Sequence, residues 1–217
     1  RTHRILGPEA RPRRHIECRS EPIAAPFGPG RTYRMTLEKA QQLLDAAGVD
    51  ETLHRLASEI MAGGGGEGLL LVGIRRRGVQ LAARLASILR DTCEFDVPTG
   101  SLDITLYRDD LHQIGPMPII GMTEIPGDID GDRVVIVDDV LFTGRTIRAA
   151  LQELADFGRP RKIELCVLVD RGGRELPIQA DYVGLTVDAS ARDLVEVRVP
   201  ELDDGSSVTL VSAPGES

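Results

Sequence analysis

The sequence predicts an α/β domain on a central, mainly parallel sheet flanked by helices, and three observations carry that expectation. Short apolar, β-branched runs occur at LLLVG (69–73), VVIVD (134–138) and IELCVLV (163–169), each suited to a strand buried on both faces. Helical patterns alternate with them, VQLAARLASILRD after the first and TIRAALQELADFG after the second. Strands separated by helices need crossover connections, which makes the sheet parallel and places a ligand site at the strand carboxyl ends.

Along the chain, Thr36 reads as the N-cap of a helix over LEKAQQLLDAA, which Gly48 breaks before DETLHRLASEIMAG resumes it. Gly63 to Gly66 reads as a flexible joint. The first buried strand follows, then a loop Gly73-Ile74-Arg75-Arg76-Arg77-Gly78 and an amphipathic helix. Val97 to Tyr107 reads as an extended arm, with Asp103, Thr105, Arg108 and Asp109 along one face. The stretch from His112 to Ile129 holds Gly115, Pro116, Pro118, Gly121, Pro126 and Gly127, and reads as a loop able to fold over an occupied site. After the second strand and its helix, Lys162 to Arg171 forms another core strand, and Asp181 to Val211 alternates as short strand-like pieces.

Composition narrows the function classes. The 217 residues suit one domain with an appendage, and 41% hydrophobic residues with only 3% aromatic imply a core of Leu, Val, Ile and Ala. Cys18, Cys93 and Cys166 lie in no metal-ligand or disulfide spacing, which suits a reducing compartment. No apolar run is long enough to span a bilayer and no signal segment is visible, so a soluble, cytoplasmic protein is expected. Residues 1–34 hold eight Arg against three Glu, lack periodicity and read as a disordered basic extension ahead of a domain over 35–217, with Met35 as a true start. With that surplus of five set aside, the rest of the chain carries −13 of the overall −8, an unfavourable background for non-specific nucleic-acid binding.

The most informative stretch is VVIVDDVLFTGRT, Val134 to Thr146. Asp138 and Asp139 stand where a buried strand is expected to end, and Thr143-Gly144-Arg145-Thr146 opens into a helix. Backbone N–H groups at a helix start, with threonine hydroxyls, bind a phosphate. The paired carboxylates suit two ribose hydroxyls, or waters on a magnesium ion. A strand ending in two aspartates also occurs in receiver domains; the TGRT turn at this offset is the more specific signal. It resembles the phosphoribosyl-pyrophosphate (PRPP) motif of type I phosphoribosyltransferases. The Arg75–Arg77 loop suits a pyrophosphate, whose oxygens accept bidentate guanidinium contacts, although a solvated basic turn reads the same way. The loop Asp170-Arg171-Gly172-Gly173-Arg174-Glu175-Leu176-Pro177 offers backbone groups to the edge of a planar base, with Val169 or Leu168 beside it; a simple turn is its plainer reading.

Taken together, GIRRRGVQLAARLA, LDITLYRDDL, VVIVDDVLFTGRTIRAAL and GRPRKIELCVLVDRGGRELPIQADYVG closely resemble the PyrR family of pyrimidine operon attenuators and uracil phosphoribosyltransferases, from about Leu44 to Leu210. The resemblance implies a type I phosphoribosyltransferase fold with a flexible hood or arm, and an enzyme joining uracil to PRPP to give UMP and diphosphate with Mg2+. It implies catalytic roles for Asp138, Asp139 and Arg108, the aspartates holding the ribose hydroxyls and the metal through water. Thr143, Gly144, Arg145 and Thr146 would cradle the 5′-phosphate; Arg75, Arg76 and Arg77 would line the pyrophosphate loop; Val169, Asp170, Arg171 and Gly172 would lie beside the base. The family usually has Thr where this chain has Arg76. It also implies a homodimer or larger assembly. A purine or orotate phosphoribosyltransferase is an alternative, and the base-side string VLVDRGGRELP favours uracil.

The family's second activity is binding pyrimidine leader mRNA in response to UMP or UTP. Its RNA-binding members carry a Thr-Arg pair and a His on the early helix, where this chain has His54, Arg55 and Ser58. They have RGHRELP and a GKNxPTS-like run, where this chain has Gly173 and Gly184-Leu185-Thr186-Val187-Asp188-Ala189-Ser190. Arg55 and Arg174 remain as possible RNA contacts, but a Lys and two His are lost and Asp188 adds negative charge. Regulation by RNA is therefore the alternative reading, expected to be weak.

Overall fold

The computed structural model describes residues 39–104 and 122–212, all within the unit Thr36–Ser217. The extension of residues 1–34 and the arm residues Thr105, Arg108 and Asp109 lie outside the described residues.

Strands β2 (Leu69–Ile74), β3 (Thr99–Leu102), β4 (Arg133–Leu141), β5 (Lys162–Asp170) and β6 (Tyr182–Thr186) form a wholly parallel sheet in the order β3-β2-β4-β5-β6. Alternate strand residues face opposite sides, and each side has its own core. Leu69, Leu71, Val135, Val137, Cys166 and Leu168 pack under helices α1 (Ala46–Ala62) and α2 (Arg77–Cys93). Leu70, Val72, Val134, Ile136, Leu165 and Val167 pack under α3 (Arg145–Leu154). A second, antiparallel sheet of β1 (Lys39–Leu44), β8 (Ser207–Ser212) and β7 (Leu194–Arg198) adds Val195, Val197 and Val208 to the first core.

The expected helix from Thr36 is corrected at its start. Lys39–Leu44 is a strand paired with β8 from Lys39↔Ser212 to Leu44↔Val208, because tertiary pairing outweighs the intrinsic helix preference of Lys, Ala, Gln and Leu. Gly48 does not break a helix either. It sits in the first turn of α1, where its N–H bonds the Asp45 carboxylate at 2.8 Å and completes the N-cap. The expected arm is also corrected over its first part, since Thr99–Leu102 is the parallel edge strand β3.

The Gly63–Gly66 joint is pinned rather than free. Buried Arg133 donates to the Ile60 and Gly65 carbonyls, both at 2.9 Å, and to the Tyr182 hydroxyl at 2.8 Å, while its Nε meets Glu164 at 2.5 Å. This network joins the end of α1 to β4, β5 and β6. Removing one partner of such a buried pair costs about 3–5 kcal/mol, because the other charge is stranded.

Candidate active site

The carboxyl ends of β2, β4 and β5 bring three of the predicted segments to one edge of the parallel sheet. β4 is the middle strand, and it runs to Leu141, so Asp138 and Asp139 lie within its last turn of pairing rather than beyond it. Asp138 pairs with Val167 across the sheet, whereas Asp139 is skipped between the Asp138 and Val140 pairings. Both carboxylates curl back on the backbone: Asp138 accepts from the Asp139 N–H and Asp139 from the Val140 N–H, each at 3.0 Å. Asp138 is buried and Asp139 half-buried. Burial first, and then the charge of Asp139, push the Asp138 carboxyl well above the usual carboxylate range.

The turn after β4 reaches α3 through Gly144, whose φ of 89° is a left-handed conformation and whose absent side chain cannot cap the helix. A helix start entered in this way presents its first-turn amides towards an acceptor, and the Arg145 N–H among them is already taken by Thr143. Thr143 Oγ1 accepts from the Arg145 N–H at 3.3 Å, so the threonine is drawn in over the helix start. The Arg145 side chain is held by Glu175, with Nε and Nη2 at 2.8 and 2.6 Å from one carboxylate oxygen.

Close approach of backbones shapes the other side of the site. A side chain on Gly73 would meet the Gly78 carbonyl at 2.4 Å, and one on Gly78 would meet the Val137 carbonyl at 2.3 Å. These glycines let β2, the start of α2 and β4 touch immediately beside Asp138. The three arginines of the intervening loop take separate roles. Arg75 donates to the Met122 carbonyl at 2.8 Å and to Ser101 Oγ at 3.3 Å. Arg76 is exposed, and Arg77 forms a bidentate pair with Asp203 of the β7–β8 turn at 3.0 and 3.2 Å. α2 starts at Arg77, two residues before the position its apolar pattern predicts.

On the base side, Val169 is fully buried in β5, so only its backbone can face a ligand. Asp170 is partly buried, which raises its pKa, but the Arg174 guanidinium and the Gly172 N–H more than reverse this and hold it below the usual range. Arg171 is buried with its guanidinium 3.9 Å from the centre of the Phe142 ring, donates to the Ser190 carbonyl at 2.8 Å, and leaves Nε without a partner among the described residues. A cavity of about 440 Å³ opens between Asp170–Arg174 and Thr186–Ala189, large enough for a planar base.

The two possible RNA contacts are occupied. Arg55 donates to the Val183 and Gly184 carbonyls at 3.2 and 2.6 Å and to Glu59 at 2.6 Å. Arg174 is enclosed by Asp170 and four carbonyls. Asp203 and Phe142 are site neighbours that sequence reasoning missed, as is the pairing of Glu175 with Arg145. Each sits on a turn, and no local pattern marks its partner.

The described residues hold no group of three or more His, Cys, Asp or Glu able to cage a metal. Asp138 and Asp139 nevertheless suit a Mg2+ ion that keeps its waters and shares substrate oxygens, for which one or two carboxylates suffice. No helix among the described residues is long and apolar enough to cross a membrane.

Comparison with known proteins gives the family and the fold. The phosphoribosyl transferase domain family matches residues 39–202. The bifunctional protein PyrR of Pelotomaculum thermopropionicum is 52% identical over 178 residues, covering 82% of this chain and 98% of that protein. PyrR of Thermus aquaticus is 51% identical over 175 residues, covering 80% and 97%. Among solved structures, a hypoxanthine phosphoribosyltransferase from Staphylococcus aureus superposes with a TM-score of 0.59 at 20% identity, covering 80% of this chain and 92% of that one. That of Trypanosoma cruzi gives 0.58 at 18% identity, covering 80% and 97%. At these identities the structural likeness establishes the fold alone.

Proposed function

The chain belongs to the phosphoribosyl transferase domain family and, within it, to the bifunctional PyrR proteins, and from that membership we propose that it transfers the phosphoribosyl group of PRPP to uracil. The products are UMP and diphosphate. The observation that carries the reading is the Asp138–Asp139 pair on the central strand, immediately before the Gly144 turn and the start of α3.

In this reading Asp138 and Asp139 would hold the ribose hydroxyls and the waters of a bound Mg2+. The Thr143–Thr146 turn and the α3 amides take the 5′-phosphate, with Arg145 redirected from Glu175. Arg76, exposed on the β2–α2 loop, meets the pyrophosphate first, while Arg75 and Arg77 hold the loop to β3 and to the β7–β8 turn. Arg108, on the segment outside the described residues, adds a further cation to the leaving group. The base lies against Asp170–Gly172 in the adjoining cavity.

In the transfer the ribose C1–oxygen bond to pyrophosphate breaks, the bond from C1 to the uracil ring nitrogen forms, and the proton of that nitrogen passes to the departing diphosphate, directly or through water. No side chain need bond to the sugar. Rate comes from holding the two reactants in line and stabilising the departing charge. Mg2+, when bound, neutralises pyrophosphate oxygens.

A competition assay with labelled PRPP, Mg2+ and equal uracil, hypoxanthine and orotate tests this. UMP is expected as the dominant product, and none without Mg2+. Turnover of hypoxanthine but not uracil refutes the base assignment.

A further inference from the structure

The geometry points to Arg174 as a positioning residue that locks the 5′-phosphate turn and the base-side loop into one unit, so that the two substrate sites share a single alignment. The inference rests on the phosphoribosyl transfer proposed above and adds to it a residue at the wall of the base cavity whose guanidinium is spent on the two loops.

Arg174 lies on the base-side loop, four residues after the end of β5. Its Nη1 reaches across to the turn after β4, donating to the Phe142 carbonyl at 2.8 Å, with the Leu141 carbonyl at 3.4 Å. The same nitrogen serves the Gly172 carbonyl at 3.1 Å, Nε serves the Ile178 carbonyl at 2.9 Å, and Nη2 meets the Asp170 carboxylate at 2.5 Å. One planar group thus satisfies acceptors on both loops and on both ends of its own loop. A guanidinium does this because its N–H donors radiate in a fixed fork, whereas an ammonium is a point donor on a flexible stem.

The surrounding contacts fit a hinge pin more than a surface cation. The side chain is 22% exposed and its charge is already met by Asp170. Both Glu175 and Leu176 N–H groups donate to the Thr143 carbonyl, at 3.0 and 3.1 Å, and Arg171 N–H to the Leu141 carbonyl at 3.1 Å. These backbone bonds keep the loops adjacent without Arg174, but none of them reaches the Phe142 carbonyl and the far end of the base-side loop at once. Loosening the pin therefore shifts both sites relative to the sugar while the parallel sheet stays intact. Misplacing bound reactants by about an ångström costs about 100-fold in rate.

The test is steady-state kinetics of Arg174→Gln and Arg174→Lys, varying PRPP and uracil separately with Mg2+ and with no RNA present. The expected result is a rise of about tenfold in KM for both substrates and a fall of about 100-fold in kcat/KM, with a melting temperature close to the parent's and only partial recovery in the lysine variant. Parent-like kinetics in a folded Arg174→Gln protein overturn the proposal, and so does a rise in KM for uracil alone.

If both variants fail to fold, Asp170→Asn decides the matter. It leaves the guanidinium and removes its charged partner, and among the described residues the hydrogen bonds of the Asp170 carboxylate run to Gly172 and Arg174, within its own loop. A raised KM for PRPP in that variant supports the pin; an unchanged one overturns it. Should the parent protein not turn over uracil at all, the base assignment fails separately, and calorimetric PRPP affinity in parent and Arg174→Gln still reads the coupling.

Discussion

At the scale of single residues the proposed chemistry rests on two adjacent carboxyls, and the buried one, Asp138, holds its proton more tightly than an ordinary aspartate. The pKa of Asp138 is raised, by burial first and by Asp139 second, so its protonated form is the one the folded state favours. Its contribution to stability is complete below the ordinary aspartate value of about 4 and is lost as pH climbs through the raised value. Asp138→Asn removes that loss. The variant is expected to melt with the parent near the ordinary value, to melt increasingly above it as pH rises, and to lose about 100-fold or more in turnover. The double variant Asp138→Asn, Asp139→Asn is expected to fold and be inactive. Thermal scans across pH check the first claim, and a melting advantage that does not grow with pH refutes it. Parent-like turnover in the folded double variant refutes the role given to the pair.

Elements position these residues through the contact of β2, α2 and β4, and that contact depends on Gly78. An alanine there gains up to about 1 kcal/mol of helix propensity, yet its Cβ would lie 2.3 Å from the Val137 carbonyl and 3.3 Å from Asp138 Cα. Overpacking against backbone typically costs about 1–3 kcal/mol, so the clash outweighs the propensity. Gly78→Ala is expected to lower the denaturant midpoint and to reduce turnover by displacing Asp138; an unchanged or higher midpoint contradicts it. The strands and helices around this contact were legible in the sequence, because β2, β4 and β5 are apolar on both faces and α2 and α3 carry clear stripes. The strand β1 was not, since its residues suit a helix and its partner β8 lies at the other end of the domain. The site was legible in the same measure. The acidic pair and the Thr143–Thr146 turn are contiguous motifs, whereas Arg77–Asp203 and Arg145–Glu175 are pairings chosen by the folded chain. Arg55 and Arg174 show the converse, for a cation's presence in sequence does not tell whether its charge is free.

Across the whole molecule, charge decides how well a leader RNA can be held. Binding to RNA depends on neutralised phosphates, with roughly one unit of salt slope for each contact. The chain after residue 34 carries −13, and Asp188 stands exposed in the segment where the resemblance places an RNA contact. The two arginines retained there are spent on carbonyls of β6 and of the site loops and on Glu59 and Asp170. Recruiting either to a phosphate means breaking several intramolecular bonds, which lowers the net gain from each contact. The protein beginning at Met35 is therefore expected to bind its own pyrimidine leader RNA only weakly at physiological salt, with UMP making little difference and with a shallow salt dependence. The 217-residue chain, which adds the eight arginines of its first 34 residues, is expected to bind more tightly but without regard to UMP or sequence. Gel-shift titrations of both proteins, with leader and scrambled RNA, across salt and with and without UMP, check this. Tight, UMP-dependent binding by the Met35-start protein would show that the folded domain supplies phosphate contacts beyond Arg55 and Arg174, and would place regulation beside catalysis.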